Sequence, residues 1–168
     1  MDMRNNHDKL IEQLLDNFAQ QQNLYEEMLQ LAREQNETLA RTETIINENV
    51  LTILLEPRVE LMEKLDHLNQ ENRALQQRLL AGLGMEEFVL SQLKGKISSD
   101  QWQRLQEVLA YLGELLQEIA AKDAVSQKEL QRLIRQRECA GRQVSVQHAS
   151  SAYQQTMERS KKSRFTGE

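Results

Sequence analysis

Apolar residues return every seventh position over the first quarter of the chain, at Ile11, Phe18, Tyr25, Ala32, Leu39 and Ile46. Leu14 and Met28 stand three residues beyond members of that series, with Leu15 and Leu29 beside them. Residues at this spacing share one face of a helix, so the pattern predicts a helix from about Asp8 to Ile46. Gln21 and Gln35 occupy inner positions of the same face, which predicts a thin or wet seam there. From Leu51 the frame slips by about two residues and continues as Leu54, Leu61, Leu65, Leu68, Asn72, Leu75 and Leu79. A slip of this kind marks a stutter in one rod or a turn between two helices. Asn47, Glu48 and Asn49 lie at the slip, and a turn within 42–49 is expected, because asparagine caps helices and forms turns. Pro57 removes a helical hydrogen bond, so the second helix either kinks there or begins there.

Gly82 and Gly84 end the second helix, since glycine accepts the left-handed conformation past a helix C-terminus. Met85 to Leu93 is expected to form a short helix, broken by Lys94-Gly95-Lys96. Ser98 and Gln101 have capping-box spacing and open the last long helix. Its seam reads Leu105, Leu109, Leu112, Leu116 and Ile119, then Leu130, Leu133, Ala140 and Val144, interrupted by Asp123 and Ser126. Asn72, among leucines, either fixes partner number and register or sits in an open, wet stretch of seam.

Composition agrees with the periodicity. Ala, Glu, Lys, Leu and Arg make up 79 of the 168 residues, with 21 glutamines besides, while glycine and proline number only 7. Sheet folds need turns every 8–12 residues, so sandwiches, barrels and doubly wound folds are excluded. The expected fold is all-α, an elongated antiparallel bundle of long helices with coiled-coil-like packing. One helical domain is expected over 1–157, followed by a disordered basic tail over 158–168.

The net charge of −5 argues against a nucleic-acid partner. The longest apolar stretch, Val50 to Leu55, falls far short of a membrane span, so no membrane insertion is expected. With a polar N-terminus lacking an export signal and one cysteine, Cys139, a cytoplasmic protein is expected. The three histidines, His7, His67 and His148, have no glutamate three residues before them, and no nucleophile, phosphate-loop or metal motif occurs. No enzyme, metal or cofactor is expected. The periodicity leaves a homodimer open, because intramolecular and intermolecular seams look alike in sequence.

The order of these signals resembles the FlgN family of flagellar export chaperones. The resemblance is carried by Leu24-Tyr25-Glu26-Glu27-Met28-Leu29-Gln30-Leu31-Ala32 in the first helix. In the second it is carried by Leu54-Leu55-Glu56-Pro57-Arg58-Val59-Glu60-Leu61 and Leu68-Asn69-Gln70-Glu71-Asn72-Arg73-Ala74-Leu75. In the last helix Leu112 to Ile119 and Leu130 to Ile134 match, and Tyr153 stands where the family usually carries a tyrosine. It implies a chaperone without ATPase activity that binds the C-terminal segments of the hook-associated (hook–filament junction) proteins. Such a chaperone keeps its clients unassembled and delivers them to the flagellar export gate. On that resemblance Leu130, Leu133, Ile134, Val144 and Val146 are expected to touch the client, and Tyr153 to dock to the gate. A homo-oligomeric coiled-coil scaffold or adaptor is the alternative that periodicity alone would equally produce.

Overall fold

The computed structural model describes residues 2–41, 48–140 and 153–159. They form four helices in the order α1 (Asp2–Arg41), α2 (Glu48–Leu83), α3 (Leu90–Leu93) and α4 (Ser99–Ala140), and residues 153–159 are helical as well. No strand occurs among the described residues. The three long helices contain 40, 36 and 42 residues, so each is roughly 55–65 Å long at 1.5 Å per residue.

α1 packs along both α2 and α4, which scarcely pack along each other. Cross-links give the directions. Asn17 pairs with Glu71 and Gln35 with Arg58, so α1 and α2 run antiparallel. Glu12 pairs with Arg104 and Arg33 with Glu118, so α4 runs parallel to α1. The result is an up-down-up bundle with α1 between its two neighbours.

The seven-residue series of α1 is the face that both neighbours cover: Ile11, Phe18, Ala32 and Leu39 are buried, and Tyr25 is half-buried. The first apolar cluster joins Leu10, Ile11, Leu14, Leu15 and Phe18 to Leu79, Leu105 and Leu112. Burying one such side chain contributes about 1.5–3 kcal/mol. We call this end proximal. A second cluster holds Met28, Leu29, Leu61, Leu65, Leu115 and Ile119 at mid-length.

The connection after α2 seals the proximal end. Gly84 and Gly95 have φ of 67° and 89°, a left-handed backbone that favours glycine. Gly82 serves a different purpose: a methyl at that position would run into the imidazole of His7. α3 buries Leu93 completely, and Phe88, Leu90 and Ile97 pack against the first cluster. Trp102 Nε1 donates to the Leu90 carbonyl at 2.7 Å, and Lys94 Nζ lies 5.1 Å from the Trp102 ring centroid. Ser98 caps α4, its Oγ accepting the Gln101 N–H at 3.2 Å.

Several expectations need correction. α1 begins at Asp2, earlier than the periodicity suggested, and is described as far as Arg41; the expected end at Ile46 lies outside the described residues. α2 already runs from Glu48, so Pro57 lies inside it and neither Glu48 nor Asn49 is in a turn. Residues 42–47, where the rest of the expected turn falls, lie outside the described residues. The short helix covers only Leu90–Leu93. Gln21 and Gln35 are buried, not wet: Gln21 donates to Asn69 at 2.6 Å, and Gln35 accepts from Arg58 at 3.1 Å. Asn72 is buried too, and its Oδ1 has no hydrogen-bond partner among the described residues. In α4, Leu115 turns inward where Leu116 was expected; Leu116 is 47% exposed.

Candidate functional site

Beyond the second cluster the interior changes character. Asp123 and Ser126, the two polar interruptions in the seam of α4, both face inward to partners. Arg58 of α2 donates to both carboxylate oxygens of Asp123 at 2.7 and 2.8 Å, and Ser126 donates to Asn36 of α1. Gln35 completes the layer through Arg58. A two-pronged guanidinium–carboxylate pair is the strongest form of this contact. The Arg58 side chain is 15% exposed and that of Asp123 is 37% exposed. Hydrogen bonding to Asp123, opposed by burial, raises the Arg58 pKa above its already high ordinary value. This distal layer joins all three helices through polar groups where the proximal end uses leucines.

The same end leaves apolar side chains uncovered. Leu55, Val59 and Met62 are exposed on α2 at i, i+4 and i+7, which is one helix face. Leu55 stands three residues before Arg58 and Met62 four after it, so the stripe lies on the side of α2 from which Arg58 reaches α4. On α4, Leu116 stands seven residues before Asp123 and Ile134 eleven after it. Both are exposed on the face from which Asp123 answers Arg58. The ion pair therefore identifies two facing shoulders, each carrying uncovered apolar side chains.

Three of the expected client residues lie side by side on α4. Leu130 is half-buried, Leu133 is buried and Ile134 is 46% exposed. Val144 and Val146 lie outside the described residues. Tyr153 is 63% exposed on the helical segment 153–159, where Met157 is also exposed. Glu158 and Arg159, expected in the tail, belong to that helical segment, and residues 160–168 lie outside the described residues. Leu55, Val59 and Met62 were missed in the sequence because the stronger frame through Leu54, Leu61 and Leu65 hides a second stripe shifted by one residue.

Other surface features offer less. A shallow depression between α1 and α2 is lined by polar residues including Gln20, Asn23, Lys64 and His67. Among the described residues no group of His, Cys, Asp and Glu is placed to hold a metal ion, and no helix is long and apolar enough to cross a membrane. No protein-family model, curated protein or solved structure matches this chain.

Proposed function

We propose that this protein is a flagellar export chaperone of the FlgN type. It binds the C-terminal helical segments of hook-associated proteins, keeps them unassembled and carries them to the export gate. The observation that supports this reading is the uneven cover of the helices: the proximal end is closed by α3 and its connections, while apolar side chains stand uncovered toward the distal end. Amphipathic helices of export clients need such a surface, since covering their apolar stripe prevents self-association. Client contact falls to Leu130, Leu133, Ile134, Val144 and Val146, and gate docking to Tyr153.

Titration calorimetry against the C-terminal segments of the two hook–filament junction proteins tests the reading, with light scattering on both partners. The expected result is saturable binding of defined stoichiometry, weakened at least tenfold by Ile134→Glu, an exposed position where the fold survives. No heat, together with a stable homo-oligomer, would favour the coiled-coil scaffold instead. For the gate, Tyr153→Ala is expected to reduce export and motility; normal export in that variant would remove the docking role.

A further inference from the structure

We propose that residues 48–57 of α2 form a lid that swings as one piece about Pro57 and uncovers Leu39, while α2 from Arg58 onward stays docked on α1. Such a lid goes beyond the chaperone reading and operates whatever the chain binds.

Backbone chemistry sets the turning point. A proline inside a helix has no N–H for the carbonyl four residues back, and its ring crowds that carbonyl. In α2 that carbonyl belongs to Ile53, so the helix is continuous here with one rung of its ladder missing. Helices bend most readily at such positions. Packing differs on the two sides of the proline. Beyond it Leu61, Leu65, Leu68, Asn72 and Leu79 are buried, which holds α2 down at nearly every turn. Of the lid side chains that are described, Thr52, Ile53, Leu55, Glu56 and Pro57 are exposed and Leu54 is half-buried. A stretch that buries so little apolar surface opens locally at low free-energy cost, as a unit ending where firm packing begins. Arg58 marks that boundary. It is the first residue past the proline, and its guanidinium is bound to Asp123 of α4 and Gln35 of α1. Three helices therefore meet at the post on which the lid turns.

The register of the helices says what the lid hides. Gln35 and Arg58 are paired across antiparallel helices, so Leu39, four residues on in α1, and Leu54, four back in α2, lie at one level. Leu39 is 1% exposed, and Leu54 is the lid side chain turned partly inward. With the lid closed, Leu39 is hidden. With the lid swung out, Leu39 is open on the side of α2, and Leu54 joins Ile53 and Leu55 on the surface. The distal end thus presents a smaller or a larger apolar area, set by one hinge.

Hydrogen exchange on the full chain tests the hinge without any substitution. The amides of 52–56, and those of 58–60 that donate to lid carbonyls, should exchange at one common rate, at least tenfold faster than those of 61–75. Pro57→Ala restores the missing rung and should slow that common rate at least tenfold. A rate that falls smoothly from Glu48 inward, with no step near Pro57, is ordinary end fraying and would overturn the lid. So would a step that survives Pro57→Ala. Thiol labelling reads the uncovering itself. With Cys139→Ser as background, Leu39→Cys should react with a maleimide at least tenfold faster than Leu14→Cys, since Leu14 is completely buried at the proximal end. Adding Pro57→Ala should slow the Leu39→Cys reaction at least tenfold. Equal rates for the two cysteines would mean that Leu39 is reached only when the whole chain unfolds, and would overturn the proposal. A Leu39→Cys rate indifferent to Pro57→Ala would do the same.

Discussion

The two ends of this rod solve the same packing problem with different chemistry. At the proximal end Leu14, Leu79 and Leu105 are fully buried, α3 and the 84–98 connection lie against them, and Trp102 is tied to Leu90. At the distal end an arginine, an aspartate, a serine and two amides share the interior with Leu39 and Leu133, while Leu55, Val59, Met62 and Ile134 remain exposed. Apolar burial is non-directional and grows with area, so the proximal end gains stability wherever shapes fit. A half-buried ion pair offsets its own desolvation and adds little net stability, but it fixes which faces meet. The difference suggests a rod whose stability is concentrated at one end and whose binding surface lies toward the other.

Substitutions can break that contrast. Leu14→Ala should cost about 2–5 kcal/mol, because a completely buried side chain leaves a cavity; Ile134→Ala, half exposed at the other end, should cost well under half of that by thermal or denaturant unfolding. Arg58→Ala should cost about 1–3 kcal/mol, since Asp123 and Gln35 lose their shared partner. Replacing the pair together, with Arg58→Met and Asp123→Leu, should restore or exceed the original stability. A double replacement as damaging as the single one would mean that the distal layer stabilises rather than orients.

Gly113→Ala should raise stability by about 1 kcal/mol, the helix propensity difference, because nothing stands near its face. A loss there would show the shoulder of α4 to be covered. The smallest effect is electrostatic. Hydrogen bonds from Arg104 and then Gln101 hold the Glu12 carboxyl below its ordinary value of 4.5. A depressed folded pKa contributes stability that is present above the ordinary value and lost as the pH falls below it. Glu12→Gln should therefore flatten the stability profile below about pH 4.5 by a few tenths of a kcal/mol, since the pair is exposed.

The helices and the core face of α1 were legible from the seven-residue series, and so were the ends marked by Gly84, Gly95 and Ser98. Those signals are local, set by backbone conformation and periodicity. What escaped depends on neighbours. Leu115 and Leu116 fit the periodicity of α4 equally well, and only the position of α1 decides which turns inward. Asp123 and Ser126 read as breaks in a seam until Arg58 and Asn36 are seen opposite them. Pro57 does not begin α2: its own N–H is missing, yet the helix already runs from Glu48. Of the expected client residues, Leu130, Leu133 and Ile134 fall on one stretch of α4, but the stripe of Leu55, Val59 and Met62 gains meaning only once Arg58 shows which way it faces.

Hydrogen exchange along the whole chain, alone and with a saturating C-terminal segment of a hook–filament junction protein, tests the contrast most directly. Free, the amides around Leu14, Leu79 and Leu105 should exchange most slowly and those around Val59 and Ile134 faster. On binding, the distal stretches of α2 and α4 should slow at least tenfold while the proximal end stays as it was. Slowing confined to the proximal end, or no change anywhere, would contradict the account.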